Sequence, residues 1–251
     1  QKAGLLTELA AVGASTRPRA VEGSYMPCFL AGTSQGQVLA ETLQVPFYAF
    51  SHQQGHIAAA CWSAGRLELL DEPTLAWHLS GGTTELLLVV PEAGNVRAAR
   101  IGGTTDLAVG QLIDRTGKLL HLDFPAGKAL DKLANETEEK ERFRVRLDGL
   151  NFSLSGIENK VQKLVEKRKA PAAVARYVLL TISSVVRRAT DKAKLLYPGL
   201  PVLCSGGVAS NSILRAFLYD AVFAAPEFST DNAMGIAVLA RRVWESREAQ
   251  R

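Results

Sequence analysis

Two histidines, His52 and His56, lie four residues apart in the sequence Ser-His-Gln-Gln-Gly-His. Side chains at positions i and i+4 share one face of a helix, which is the arrangement that two imidazoles need to bind a single ion. The spacing therefore predicts half of a metal site. From these residues alone, two unrelated histidines near the start of a helix remain the alternative.

Two Ser-Gly-Gly sequences follow the histidines, and each comes directly after a predicted strand. Glycine lets backbone N–H groups approach a phosphate without a Cβ in the way. A plain β-turn explains one such sequence, but two of them favour a duplicated nucleotide-binding architecture, with Asn211 placed to bond a ribose or base. The residues concerned are Ser80, Gly81, Gly82, Thr83 and Thr84 in the first sequence, and Ser205, Gly206 and Gly207 in the second.

Strands and helices alternate along the chain, which predicts an α/β protein. Apolar residues at helical spacing predict the longest helix over 172–196. Shorter helices are expected at 29–43, 107–120, 126–134, 211–219 and 232–247, and two strands, 74–79 and 84–90, should flank the first Ser-Gly-Gly sequence. Residues 15–19 are predicted to form a turn, and the charged stretch 135–150 is predicted to be a solvated excursion.

The composition limits the classes of protein that fit. The chain has 251 residues, 47% hydrophobic and 22% charged, which is ordinary for a globular protein. No apolar run reaches the roughly 18–20 residues of a membrane span, so no membrane association is expected. Three cysteines without a C-x-x-C pattern predict reduced thiols in the cytoplasm.

The net charge of +4 permits a nucleic-acid partner. The basic residues near 160–169 and the pair Arg187-Arg188 could contact phosphates, although a solvated helix face explains them equally well.

Seven segments, taken in order, resemble the tRNA threonylcarbamoyl-transferase family, formerly called O-sialoglycoprotein endopeptidases. The resemblance covers nearly the whole chain, and its strength lies in seven matches in the family's order rather than in any single match. The segments are Ser51–His56, Ser80–Leu86, Gly102–Arg115, Phe124–Asp131, Asn151–Gly156, Gly206–Asn211 and Thr230–Met234.

The resemblance implies an actin/Hsp70-like (ASKHA) fold of two RNase-H-like lobes with a nucleotide in the cleft. The expected division is 1–70 for the first lobe, 71–230 for the second lobe with the nucleotide loops, and 231–251 for a helix that packs back on the first lobe. The first strands of the first lobe, with the family's phosphate loop, have no counterpart in this sequence.

The resemblance also implies the ligands and the reaction. His52, His56 and Asp231 would hold one divalent metal, iron or zinc. The expected nucleotide is of the ATP or AMP type, or threonylcarbamoyl-adenylate. The reaction would transfer threonylcarbamoyl from its adenylate to a tRNA adenosine beside the anticodon, or would be a closely related carbamoyl transfer. A paralogous ASKHA subunit and a small ATPase are the further partners implied. The residues expected to contact the nucleotide are Asp114, Gly127, Asp131 and Asn211.

His78 is a further candidate ligand, because it stands where some family members place a metal-contacting tyrosine. The alternative interpretation of His78 is an ordinary strand histidine whose ring nitrogens already have hydrogen-bond partners. Strand alternation puts His78 on the same side as Ser80, so it is predicted as a fourth metal ligand.

Two departures from the family pattern, Leu107 and Gln111, replace acidic residues and indicate a divergent paralogue. A non-catalytic nucleotide-binding subunit is therefore the main alternative function. A metalloprotease is a weaker alternative, because a helical zinc protease places a glutamate beside the first histidine, and Gln53 and Gln54 stand there instead.

Overall fold

The structure, a computed structural model, describes residues 9–229 and 233–250. The chain divides into two compact units. Unit 1 contains Gln1–Thr74, Val89–Ala99 and Glu227–Arg251, and unit 2 contains Leu75–Leu88 and Arg100–Pro226. Each unit is thus assembled from segments that are separated in sequence.

Unit 1 is built on a two-stranded parallel sheet. Its strands are β1 (Val12–Arg17) and β2 (Phe47–Ser51), joined through helix α1 (Cys28–Leu43), and β2 leads directly into helix α2 (His52–Ser63). The turn predicted at residues 15–19 is wrong over its first half, because Ser15 pairs with Phe50 within the sheet.

The last helix, α8 (Met234–Glu248), packs on α2 and on β1 within unit 1. The approach to α2 is close at two glycines. A Cβ on Gly235 would lie 1.8 Å from the carbonyl oxygen of Gly55, and a Cβ on Gly55 would lie 2.9 Å from Ile236. Glycine at both positions is therefore what allows these two helix backbones to touch.

The larger sheet has seven strands in the order β6-β7-β5-β4-β3-β8-β9. Its strands are β3 (Thr74–Leu79), β4 (Thr84–Glu92), β5 (Asn95–Thr104), β6 (Leu147–Asp148), β7 (Asn151–Phe152), β8 (Val202–Ser205) and β9 (Val222–Phe223). The helices of unit 2 are α3 (Val109–Leu119), α4 (Gly127–Ala134), α5 (Ser155–Glu166), α6 (Pro171–Leu196) and α7 (Ser212–Phe217). The predicted strands at 74–79 and 84–90 are confirmed, whereas β5 and α5 were not among the predicted elements.

The core of unit 2 forms around Trp77 and helix α6. Trp77 is fully buried, and its indole N–H donates to Thr190 Oγ1 at 2.8 Å, so its polar atom is satisfied inside the core. Val178, Ile182 and Val185 of α6 are also buried. Their spacing of three to four residues is the pattern from which the helix was predicted.

The charged stretch 135–150 is not simply a solvated excursion. The backbone N–H of Phe143 donates to Thr181 Oγ1 at 3.0 Å, and Val145 is only 3% exposed. The stretch is therefore attached to α6 along part of its length. Across the described ranges of the chain, helices of membrane-spanning length and apolarity are absent.

Candidate functional site

The histidine pair lies on the first two turns of α2, whose start is fixed by a reciprocal cap. Ser51 Oγ accepts from the N–H of Gln54 at 3.2 Å, and Gln54 Oε1 accepts from the N–H of Ser51 at 2.8 Å. The amide of Gln54 also donates to the carbonyl of Val96 at 2.6 Å. Gln54 is therefore a capping residue that holds the helix start in place.

The two imidazoles converge as the helical spacing predicts. The Nε2 atoms of His52 and His56 lie 3.0 Å apart, and the ring centroids are 4.4 Å apart with nearly perpendicular planes. Two nitrogens that each bind a tetrahedral ion at about 2.0–2.1 Å are separated by about 3.3 Å. The observed separation is close to that value, so the pair fits one transition-metal ion.

The third expected ligand, Asp231, lies outside the described residues. Within 9–229 and 233–250, no group of three or more His, Cys, Asp or Glu side chains is arranged to hold a metal ion. Gly235, four positions after Asp231, packs against Gly55, which lies between the two histidines.

His78 is a half-buried residue of β3 in unit 2. It pairs across the sheet with Ser205, and His78 Nδ1 lies 3.2 Å from Ser205 Oγ. A metal-binding role for His78 stays a prediction.

Unit 2 contains a pocket of about 610 Å³ that brings six of the predicted nucleotide residues together. They come from four separate segments of the chain. The six are Gly81, Asp114, Gly127, Asp131, Gly207 and Asn211. Ile113, Pro125 and Val208 add apolar surface to the wall, and Lys128 adds a cationic side chain. A concave site with apolar walls and a few polar groups is typical of small-molecule binding.

Three glycines leave the pocket open. A Cβ on Gly81, Gly127 or Gly207 would meet no atom within 4 Å. The absence of a side chain at these three lining positions therefore leaves free volume in the pocket. Side chains at these positions would fill the space from which a ligand could reach backbone N–H groups.

Two other glycines, Gly206 and the pocket-lining Gly110, allow close contact between backbone segments. Gly206 has a φ of 90°, and a Cβ there would lie 2.2 Å from the carbonyl oxygen of Leu79. A Cβ on Gly110 would lie 2.5 Å from the carbonyl oxygen of Ser80. These positions let the Ser-Gly-Gly turns approach neighbouring backbone, which a side chain would prevent.

The hydroxyls of the first Ser-Gly-Gly turn serve the fold. Ser80 Oγ accepts from the N–H of Thr83 at 3.1 Å and closes the turn. Thr84 is buried, and its hydroxyl accepts from the N–H of Val109 at 2.8 Å at the start of α3. Gly82 is exposed beside Gly81. Phosphate contacts by Ser80, Thr83 and Thr84 stay predictions.

The two pocket carboxylates bind helix ends. Asp114 Oδ1 accepts from the N–H of Ala126 at 2.9 Å, immediately before α4. Asp131 accepts from Asn211 Nδ2 at 2.8 Å, and from the N–H and hydroxyl of Ser212 at 3.0 and 2.9 Å. Asn211 Oδ1 in turn caps α7 at the N–H of Leu214. Asp131 thus fixes the position of Asn211 in the pocket wall.

Asp106 was not predicted as a site residue, yet it organises the Asn151–Gly156 segment. It accepts from Ser153 Oγ at 2.5 Å and from the N–H of Leu154 at 2.9 Å. Desolvation acts to raise the pKa of Asp106, but these hydrogen bonds outweigh it and hold the pKa well below its usual range. Its position within the acidic segment was the available sequence indication.

The fold belongs to the ASKHA class. Full-length HypF, crystallised in a phosphate- and nucleotide-bound form, superposes with a TM-score of 0.65 at 13% identity, over 96% of this chain and 39% of that chain. The activator of the 2-hydroxyisocaproyl-CoA dehydratase from Clostridium difficile, with bound ADPNP, superposes with a TM-score of 0.50 at 15% identity, over 88% and 84% of the two chains. At these identities the likeness establishes the fold.

Sequence comparison identifies the family. Residues 6–238 match the family model described as TsaD: tRNA N6-adenosine threonylcarbamoyltransferase. An enzyme of that name from Thermus thermophilus is 35% identical over 95% of this chain and 76% of its own length. Another, from Brucella suis, is 33% identical over 94% and 69%. The chain belongs to the TsaD family, so the predicted resemblance is confirmed, and the relatives are transferases as expected.

Proposed function

We propose that this protein transfers a threonylcarbamoyl group to the N6 nitrogen of a tRNA adenosine beside the anticodon. The match to the TsaD family over residues 6–238 is the observation that carries the proposal. The relatives from Thermus thermophilus and Brucella suis bear the name of this activity. The pocket of unit 2 and the histidine pair of unit 1 are the two places where its chemistry would act.

The pocket of unit 2 is the proposed site for an ATP- or AMP-type nucleotide or threonylcarbamoyl-adenylate. Its free volume at Gly81, Gly127 and Gly207 supports this assignment, because a Cβ at each position would meet no atom within 4 Å and the space is open to a ligand. Asn211, held by Asp131, would bind a ribose or base, and Lys128 would favour an anionic ligand.

One divalent ion, iron or zinc, is the proposed occupant of the histidine pair. The 3.0 Å separation of the two Nε2 atoms supports it. Asp231 is the proposed third ligand, because α8 begins three residues later and packs against the turn of α2 between the histidines. When bound, such an ion polarises a carbonyl or phosphoryl oxygen. His78 remains a proposed additional ligand.

A non-catalytic nucleotide-binding subunit is the second candidate, and Leu107 and Gln111 favour it. Leu107 is buried, and Gln111 accepts through Oε1 from the N–H of Ala108 at 3.1 Å, so both side chains serve the start of α3. A metalloprotease has less support, because the amide of Gln54 is committed to the cap of α2 and cannot accept a proton.

The proposal includes tRNA, a paralogous ASKHA subunit and a small ATPase as partners, and a cytoplasmic location. The apolar surface of α1 supports a protein partner, since Leu30, Val38 and Leu39 are exposed there. The tRNA substrate and the free cysteines support the location.

The test is mass spectrometry of tRNA nucleosides from a strain that lacks the gene. We expect the threonylcarbamoyl-adenosine to disappear and to return when the wild-type gene is supplied. A nucleoside profile that does not change on deletion, with nucleotide binding retained by the purified protein, would favour the non-catalytic subunit instead.

A further inference from the structure

In the segment that joins α4 to β6, glutamates come first and three arginines follow. Three of its four carboxylates are paired with cations further along the chain. Lys169 Nζ lies 2.9 Å from Glu139 and 2.7 Å from Glu141, and Arg176 lies 3.6 Å from Glu138. The arginines that follow, at positions 142, 144 and 146, are all exposed. The acidic half of the segment therefore does not neutralise the basic half.

The basic half is attached to α6 by its backbone. The N–H of Phe143 donates to Thr181 Oγ1 at 3.0 Å, and Arg188 donates to the carbonyl of Val145 at 2.6 Å. Val145 is buried, whereas the arginines on either side of it face solvent. The fold consequently presents these arginines from a fixed backbone, which reduces the entropy lost when they bind a ligand.

A cleft of about 510 Å³ opens between this segment and α6. Four cationic side chains and one carboxylate line it, and the carboxylate, Glu141, is already paired with Lys169. In the described ranges of the chain, no carboxylate lies within ion-pair distance of Arg142 or Arg144. The lining residues are Lys140, Glu141, Arg142, Arg144, Ser184 and Arg188. We call this the basic cleft, and its chemistry is that of an anion-binding surface.

We propose that the basic cleft binds the phosphodiester backbone of the RNA substrate. This inference rests on the proposed function, since it takes the substrate to be tRNA. Arginine presents a planar fork of donors that matches a phosphate bidentately. Arg142 and Arg144 stand on either side of Phe143 and are both exposed, so each can address its own phosphate. Lys160, whose ammonium lies 4.4 Å from the Phe143 ring centroid, adds a further cation beside them.

The test is binding of a tRNA transcript to the full protein, measured by fluorescence anisotropy over a series of salt concentrations. We expect the double variant R142A/R144A to bind on the order of tenfold more weakly at low salt, with a salt slope reduced by about 2. The variant R142K/R144K keeps the charge but loses the bidentate fork, so it should keep the salt slope of the wild type and bind with an affinity between those of the wild type and R142A/R144A. Thermal unfolding of each variant confirms that it folds.

A matched control is R97A/R241A, which removes two exposed arginines from unit 1 and changes the net charge equally. Wild-type affinity in R142A/R144A, or an equal loss in the control, would overturn the proposal. Wild-type protein that does not bind tRNA would overturn it as well. Transfer activity is assayed separately. If R142A/R144A transfers with an unchanged KM for tRNA, the proposal that the basic cleft binds RNA is refuted and the proposed function stands.

Discussion

The histidine pair of unit 1 and the pocket of unit 2 are constructed in different ways. The positions of the two imidazoles depend on a single helix start, because Ser51 and Gln54 fix the turn that carries both of them. The pocket needs five segments, which are held together by buried caps and by glycines that permit close backbone contact. A substitution at the pair should therefore act locally, whereas one behind the pocket should act through the whole of unit 2.

The largest effect is expected for Gly206→Ala. The residue has a φ of 90°, and the new Cβ would lie 2.2 Å from the carbonyl oxygen of Leu79, so strain and overlap add. We expect the free energy of unfolding to fall by more than about 3 kcal/mol, measured by denaturant titration. Gly207→Ala is the matched control, because its Cβ meets no atom within 4 Å. Equal losses in the two variants would contradict this description of the second Ser-Gly-Gly turn.

A smaller effect is expected for Asp106→Ala, which removes the acceptor at the start of α5. The loss of its hydrogen bonds to Ser153 and Leu154 should cost about 1–2 kcal/mol. Because the pKa of Asp106 is lowered by folding, its contribution is complete above the carboxyl's unfolded pKa of about 3.9 and is lost as the pH falls toward the lowered value. The difference in stability between wild type and variant should therefore shrink below about pH 4. A difference that grows on acidification would contradict the assigned direction.

The smallest effect on stability is expected for His52→Ala. The side chain is half-buried on the first turn of α2, so between the metal-free wild type and the metal-free variant we expect a change within about 0.5 kcal/mol. Metal content by elemental analysis should nevertheless fall to background. His78→Ala tests the fourth ligand in the same assay, and an unchanged metal content there would remove His78 from the ligand set. Metal retained by the His52 variant would refute the histidine site itself.

These contrasts explain what the sequence could predict. The pair at His52 and His56 was visible because helical spacing is local. The long helix α6 was visible because its buried positions repeat every three to four residues. The sequence did not indicate the capping role of Asp106 or the attachment of Val145 to α6. Both depend on hydrogen bonds between segments more than 40 residues apart. Ser15 was assigned to a turn because its partner in the sheet, Phe50, is also distant in sequence.

The pocket also combines features that the sequence indicated with features that it did not. The family resemblance indicated Asp114 and Asp131 as nucleotide contacts, but it did not reveal that both carboxylates accept from helix N-termini. It also did not separate Gly206, which needs its φ of 90°, from Gly207, which leaves the pocket open. Adjacent glycines look identical in sequence, and only their surroundings tell them apart.

Calorimetry on Gly127→Val tests whether the glycine-lined pocket of unit 2 is the nucleotide site. Gly127 begins α4 and lines the pocket, and its Cβ position is open, so valine should fold normally while filling the space a ligand needs. Gly156→Val is the matched control, since Gly156 also lies in the first turn of a helix with an open Cβ position. We expect ATP or AMP to bind the wild type and the control with similar affinity, and we expect binding to Gly127→Val to be lost. Unchanged binding to a folded Gly127→Val protein would contradict this assignment.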